Sequence, residues 1–449
     1  MNDIWIPGGA KYIIQILNMF GFQGYVVGGC VRDSLLRTTP HDWDLCTDAR
    51  PVEIIKCFQG HKVIETGIKH GTVTIVLPDG NYEVTTFRID GKYSDHRRPD
   101  KVIFTNDLEA DLSRRDFRMN AMAYGADGLI DPFGGLHDLR NEMISCVGNP
   151  DDRFQEDSLR IMRALRFASD YGYQIEEQTA KAIHRNKNLL NNIAVERIQS
   201  ELCKLLLGRC ACSILIEFSD VITTIIPELA PCVGFNQNNP YHEYTIYDHI
   251  AHAVGNYRGN DISVKVALLL HDIGKPQCYT EDEKGGHFHG HGVPSHDLAE
   301  QVVRRLRFDN DTISEVLDLV LYHDSVIEPT PKTVRRWLNK LGIKRFMRLI
   351  DVRMADILAH TKGTQESRID RCNALRAIME EVVKEKQCFT MKDLGVNGYD
   401  LMHAFAMQEG KQIGEVLKYL LNEVINGNIQ NDGHVLLDEA EKYIKERSE

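Results

Sequence analysis

Apolar and polar positions change rhythm once along this chain, and the change separates two kinds of structure. Apolar residues recur at helical spacing over 11–20, which predicts an amphipathic helix. A short apolar run at 24–27 and further segments at 42–46, 72–77 and 82–88 read as strands. Between the last two, Asp79-Gly80-Asn81 predicts a hairpin turn. These elements predict a small α/β unit ending near residue 145. From Arg153 onward the spacing is helical almost to the end, with breaks at Pro227, Pro231 and Pro240, in the Gly/His-rich stretch 284–292, and around 361–367. No internal repeat or low-complexity segment is visible. The expected fold class is therefore α+β, a small mixed head followed by an all-helical remainder.

Length and composition bound this picture without changing it. At 449 residues the chain exceeds one core and suggests about three domains. Its 43% apolar and 26% charged residues are ordinary for a globular protein, and no apolar run approaches the ~20 residues of a membrane span. The start, Met1-Asn2-Asp3-Ile4-Trp5, lacks the basic segment and apolar core of a secretion signal. Eleven cysteines without paired spacing read as reduced thiols, so a cytoplasmic location is expected.

Charge adds a partner class. A net charge of −12 argues against indiscriminate nucleic-acid binding, yet basic islands stand out at His96-Arg97-Arg98, Arg114-Arg115-Arg118 and Arg160-Arg163-Arg166. Lys332–Arg353 adds eight Lys or Arg residues against one acid, Asp351. An acidic chain with basic islands suits a defined polyanion gripped at a few places.

The densest chemistry lies early. Val26-Val27-Gly28-Gly29-Cys30-Val31-Arg32-Asp33 is a glycine turn, and Asp42-Trp43-Asp44 completes it within seventeen residues of Gly28. Carboxylates two apart on a strand share one face and can hold hard divalent ions beside a triphosphate. The glycines let backbone amides approach phosphate oxygens. Glu83, expected on an adjacent antiparallel strand, is the candidate third carboxylate. Arg114-Arg115-Asp116-Phe117-Arg118-Met119-Asn120 supplies forked donors for phosphates, with Asp116 and Asn120 suited to ribose hydroxyls. In Glu156-Asp157-Ser158-Leu159-Arg160, a helix would place Asp157 and Arg160 side by side at i and i+3. An acceptor beside a donor matches the pairing edges of cytosine and adenine and opposes those of guanine and uracil.

These strings, in this order, resemble the class II tRNA nucleotidyltransferases, the CCA-adding enzymes of the poly(A) polymerase family. Glu83-Val84-Thr85-Thr86-Phe87-Arg88, Asp131-Pro132-Phe133-Gly134-Gly135-Leu136-His137-Asp138-Leu139 and the tail Leu394-Gly395-Val396-Asn397-Gly398-Tyr399 extend the likeness over nearly the whole chain. The resemblance implies a polymerase-β-like nucleotidyltransferase head at 1–145 and a helical neck at 146–235. An HD-type helical region would cover 236–360, and a tRNA-binding tail 361–449. It further implies template-independent addition of CCA to tRNA from CTP and ATP. Asp42 and Asp44 would bind Mg2+ with Glu83. Gly28, Gly29, Arg32, Asp33, Arg115, Asp116, Asn120 and Arg163 would hold the nucleotide. Asp157 and Arg160 would read the base, with Glu156 orienting Arg160. Asp131, Gly135 and Asp138 would belong to a flexible loop that switches CTP use to ATP use, and Glu196-Arg197 resembles a further neck motif.

His271-Asp272, after the apolar run Val264–Leu270, resembles the signature of HD-superfamily metal phosphohydrolases. His249 and Asp324 are the expected companion ligands, with His291 and His296 as candidates for a second ion. Such histidine-rich ligands suit Ni2+, Co2+ or Mn2+, and phosphoester or cyclic-phosphate RNA ends are the expected targets. Two rival readings stand beside CCA addition. One is a poly(A) polymerase; the other is an HD-type phosphohydrolase whose head only senses nucleotides. Monomer and homodimer both remain open.

Overall fold

The computed structural model describes residues 4–91, 102–283, 285–385 and 387–447, so the island at His96-Arg97-Arg98 lies outside the described residues. The chain forms two compact units, Met1–Ala230 with Arg305–Arg307, and Pro231–Arg304 with Phe308–Glu449.

The first unit begins with α1 (Gly8–Met19), whose Ile13, Ile14 and Leu17 form a buried stripe at helical spacing. A mixed sheet follows from β1 (Gly24–Val27), α2 (Gly29–Leu35), β2 (Asp44–Thr47), α3 (Pro51–Cys57), β3 (Lys62–Ile64), β4 (Thr72–Leu77) and β5 (Gly80–Thr86). Next come a separate ribbon of β6 (Arg88–Asp90) and β7 (Val102–Phe104), then α4 (Leu108–Ser113), β8 (Ala123–Gly125) and β9 (Gly128–Ile130). The seven-stranded order is β3-β4-β5-β2-β1-β8-β9. Val26, Leu45, Val73, Ile75, Val84 and Phe87 fill its core. Two expectations need correction. The hairpin turn is Pro78-Asp79, because Leu77 pairs with Gly80, and Asp79 is drawn away to accept from Gly9 N at 2.8 Å. In addition, β5 lies parallel to β2, not antiparallel. β4 lies antiparallel to β5 in the hairpin, and β5 joins β2 on its other edge with α3, β3 and β4 intervening in sequence.

After α5 (Gly135–Arg140), a two-residue strand β10 (Met143–Ile144) pairs in parallel with β11 (Gln174–Ile175). Between them lie α6 (Pro150–Glu156) and α7 (Leu159–Tyr171). α8 (Glu177–Asn186), α9 (Val195–Leu207), α10 (Ala211–Glu217) and α11 (Ser219–Ile225) complete the unit. α7 is buried over most of its length, so the arginines on it must find partners inside the unit.

The second unit is helical apart from the hairpin β12 (Thr280–Asp282) and β13 (Gly285–His287). Its helices are α12 (Ile246–Asn256), α13 (Ile262–Leu270), α14 (Gly292–Arg305), α15 (Asn310–Tyr322), α16 (Pro331–Ile357), α17 (Glu366–Lys384), α18 (Gly398–Phe405), α19 (Lys411–Asn426) and α20 (Gly433–Glu446). α16 kinks at Gly342, where φ is 74°. α13 is buried along all but its first residue, including Lys265, whose Nζ donates to Val254 O at 2.8 Å. Leu401, Leu420 and Leu436 anchor a separate core for the last three helices. Among the described residues no helix is long and apolar enough to cross a membrane.

Candidate active site

Strand pairing brings the head carboxylates together. Asp44 opens β2 directly opposite Glu83 of β5, and Asp42 stands two residues before it. All three residues are exposed, although β2 and β5 are central strands. The Asp44 carboxyl is pushed upward, first by the protein packed around it and then by the charges of Glu83 and Asp42, with Arg115 opposing. A knot of acids that disfavour one another's charge is the chemistry a divalent cation relieves, so these residues fit a metal.

Gly28 separates β1 from α2 at φ 82°, a left-handed conformation that suits glycine. A Cβ there would stand 2.7 Å from Nη1 of Arg115. The absent side chain is therefore what lets the guanidinium close over the turn. A phosphate at this turn would meet that arginine and backbone amides together.

From the turn a chain of polar contacts runs to the neck. Arg32 donates through Nε to Asp33 Oδ1 at 2.8 Å and through Nη1 to Asn120 Oδ1 at 2.6 Å. Asn120 donates to Asp116 at 3.0 Å, and Arg163 reaches the other Asp116 oxygen from Nε at 2.8 Å and Nη2 at 2.6 Å. The Tyr171 hydroxyl closes the loop on Asp33 at 3.3 Å, while the rings of Phe167 and Tyr171 lie 5.0 and 5.3 Å from the Arg32 guanidinium. Burial works to raise the Asp116 carboxyl, but Arg163, Asn120 and Arg160 outweigh it and hold the group ionised, well below the usual carboxylate range. Asp116 and Asn120, expected to face ribose hydroxyls, are buried and tied to these internal partners.

The pair expected to read the base differs from expectation in its backbone. Glu156-Asp157-Ser158-Leu159-Arg160 spans a junction, not one helix: Asp157 is extended at φ −134°, ψ 100°, after the end of α6. Its Oδ1 accepts from Leu159 N at 3.1 Å, as an N-terminal cap would, and Oδ2 meets Arg197 at 3.2 Å. The cap interaction competes with continuous helix and wins there. Arg160 is buried on α7. It donates to Glu156 at 2.8 Å, to Arg153 O at 3.3 Å and to Arg114 O at 2.7 Å. Glu156 therefore contacts Arg160 and Arg197 contacts Asp157, the second pairing one that no sequence signal indicated.

Asp131–Leu139, the segment expected to belong to a flexible loop, forms a turn that leads into α5. Asp131 accepts from Gly135 N at 2.7 Å and Leu136 N at 2.9 Å, which caps α5. A Cβ on Gly135 would come within 2.2 Å of Arg118 O, so the turn is pressed onto the backbone below it. Asp138 is buried.

In the second unit, His249 from α12, His271 and Asp272 after α13, and Asp356 on α16 converge with ligand atoms within 4.8 Å of one another. Asp272, His291 and His323 form a second such group, so Asp272 belongs to both. Its Oδ2 faces His249 at 3.4 Å, His271 at 3.2 Å and Lys275 Nζ at 2.7 Å, and its Oδ1 faces His291 at 3.1 Å and His323 at 3.5 Å. His249 and His271 turn Nε2 atoms toward each other at 3.4 Å, as do His291 and His323 at 3.0 Å. Facing imidazole nitrogens need a proton or an ion between them, and buried His/Asp donors fit a transition metal. Burial opposes charge on His271, but Asp272 and Asp356 outweigh it and push the ring up to about 10. His360 beside them falls to about 4, chiefly through burial.

Asp324 and His296 do not join these groups. Asp324 is exposed at the cavity wall, whereas its neighbour His323 is buried and points inward. His296 pairs with Asp297 at 3.1 Å. His323 and Asp356 were missed; an acid within the apolar stripe Leu349, Ile350, Val352 and Ala355 was the available signal for Asp356. The basic run Lys332–Arg353 is largely engaged internally. Arg335 and Arg336 bond the end of α19, Arg345 pairs with Asp318, Arg348 with Asp261 and Glu315, and Arg353 with the carbonyls of His323 and Ser325.

Comparison with known proteins agrees with this architecture. Residues 24–145 match the poly A polymerase head domain family, and residues 293–440 match a tRNA nucleotidyltransferase domain 2 family. A CCA-adding enzyme of Ligilactobacillus salivarius is 33% identical over 98% of both chains. One of Enterococcus faecalis is 34% identical over 96% of this chain and 95% of its own. The solved Bacillus stearothermophilus CCA-adding enzyme in complex with CTP is 29% identical, covers 98% of both chains and superposes with a TM-score of 0.72. A Thermotoga maritima CCA-adding enzyme complexed with tRNA shares the fold at 20% identity and a TM-score of 0.62. The exposed carboxylates, the glycine turn under Arg115 and these full-length likenesses lead to one conclusion: the chain belongs to the CCA-adding enzymes, which are tRNA nucleotidyltransferases.

Proposed function

We propose that the first unit adds C, C and A to the 3′ end of tRNA from CTP and ATP, releasing pyrophosphate, in the cytoplasm. The observation that carries this is the placement of Asp44 opposite Glu83 beside a turn closed by Arg115. Asp42, Asp44 and Glu83 would hold Mg2+, which when bound would lower the acceptor hydroxyl's pKa and offset charge on the leaving pyrophosphate. The Gly28-Gly29 turn and Arg115 bind phosphate oxygens. Arg32, fixed by Asp33, Asn120 and two rings, holds the turn in register with the neck. Asp157 keeps acceptor capacity beyond its bonds to Leu159 and Arg197, and three of Arg160's five donors are engaged. The remaining acceptor and donor positions form the edge that accepts cytosine or adenine. On this reading residues 1–145 carry the chemistry, 146–235 the base selection, and 361–449 contribute to tRNA binding.

The test is incubation of tRNA ending before its CCA with labelled CTP and ATP, together and separately, and with UTP or GTP. Ordered addition of three nucleotides is expected. Unlimited addition of A would support a poly(A) polymerase, and no addition would overturn the reading.

We further propose that the histidine-rich centre of the second unit is a transition-metal phosphohydrolase acting on phosphoester or cyclic-phosphate ends. The sharing of Asp272 between two ligand groups supports it. A bound Ni2+, Co2+ or Mn2+ would supply an activated water there. Metal-dependent hydrolysis by the full chain tests it, and retention of no metal after reconstitution would overturn it.

A further inference from the structure

A cavity of about 570 Å³ opens onto the histidine-rich centre, and its wall includes a cation from outside the metal-binding helices. Arg368, in the first turn of α17, lines that cavity with Lys275, Asp356 and His360. The two cations differ. Lys275 is buried and committed, with Nζ 2.7 Å from Asp272 and donating to Gln237 Oε1 at 3.0 Å. The Arg368 side chain is 40% exposed, and its Nη2 comes only to 3.9 Å from Asp356 Oδ2, beyond hydrogen-bond range. Of the other arginines on the same helix, Arg376 meets Asp351 at 2.6 Å, and Arg371, 3.8 Å from Glu328, does not line the cavity. Arg368 alone among these three is directed to the cavity.

A guanidinium is a planar fork that meets two oxygens of one phosphoryl group. A terminal phosphate has three unesterified oxygens, so it can fill the fork and still present one to the ligand cluster at the cavity floor. A diester has only two and cannot do both. We propose that Arg368 is the phosphate anchor of this centre and that it biases the site toward phosphomonoesters. This rests on the phosphohydrolase reading given above.

The test uses the full-length protein loaded with manganese, comparing wild type with R368Q and R368K. Calorimetric titration with inorganic phosphate should show R368Q binding roughly 10–100-fold more weakly, the effect of losing charge-assisted bonds. R368K should retain part of the affinity, and manganese content should not change. With p-nitrophenyl phosphate, R368Q should raise KM by a factor in the same range. With bis(p-nitrophenyl) phosphate, the change should be less than about twofold, as for a contact the substrate does not make. Unchanged phosphate binding in R368Q, or equal losses on both esters, overturns the anchor. If wild type hydrolyses neither ester, the phosphohydrolase reading falls and takes this proposal with it. If wild type hydrolyses the esters and R368Q matches it, the proposal alone falls.

Discussion

In the head, Asp44 and Glu83 stand exposed on two central strands of the sheet, with exposed Asp42 two residues before Asp44, and all three offer oxygen atoms only. In the second unit, His249, His271 and Asp272 are buried in a knot of imidazoles and acids, with Lys275 locked against the shared aspartate. The difference is one of preorganisation. The buried cluster is already desolvated and held by its own contacts, so its geometry exists before any ion arrives. The head offers an open site to which a nucleotide and its hard cations can come and from which pyrophosphate can leave at each cycle. Solvent access suits turnover of a charged, bulky substrate, whereas burial suits a resident softer ion. On the proposed reading, one chain carries an exchange site and a retention site with different ligand sets.

The largest break in that comparison comes from Asp44→Ala. Synthesis should fall on the order of 10²–10³-fold or more, the scale of losing a preorganised electrostatic partner, while retained manganese is unchanged. Metal analysis beside the CCA assay checks both, and substantial residual synthesis would detach Asp44 from the metal site. Asp272→Ala should do the reverse. Removing the acid shared by both histidine groups should lower manganese retention by more than the roughly 10–100-fold of an outer partner, with CCA addition near normal and melting used to confirm folding. Exchanging polarity with Asp157→Arg and Arg160→Asp should weaken CTP and ATP use by about 1–3 kcal/mol per lost contact and admit UTP or GTP. Unchanged preference would make this junction purely structural, a role its bonds to Arg197, Glu156 and Arg114 O would also serve. The smallest effect separates two neighbours. Asp324→Asn should change manganese retention by about twofold at most, as for a surface substitution, whereas Asp356→Asn should impair it severely. Equal losses from the two would restore Asp324 as a ligand.

Much of this was legible in the chain because local order carries it. The strand-turn-helix around Gly28 and the hairpin after Leu77 both lie within a residue or two of their sequence signals. Errors arose where a choice depended on what packs alongside. The direction of β5 against β2 is set by its place in the sheet, not by its own residues. The break before Ser158 depends on Asp157 accepting from Leu159 and on Arg197, forty residues away in sequence, meeting the same carboxylate. Asp131 was placed in a flexible loop by resemblance alone; its bonds to Gly135 N and Leu136 N, which cap α5, come from the tertiary structure.

The sequence by itself determined that this chain carries a glycine turn, spaced carboxylates and a His-Asp pair, and with them the family and its mixed-then-helical architecture. Those are properties of residue type and short spacing, which local backbone preferences translate directly. Only the tertiary structure decided which residues complete each cluster. His323 instead of Asp324 enters the histidine-rich centre because α15 runs on into a buried turn there, and a one-residue step on a helix rotates a side chain by about 100°. Asp356 joins from α16, and Arg368 reaches the same cavity from α17. No spacing rule connects them to His249, because packing of distant helices, not chain proximity, brings their side chains to one point.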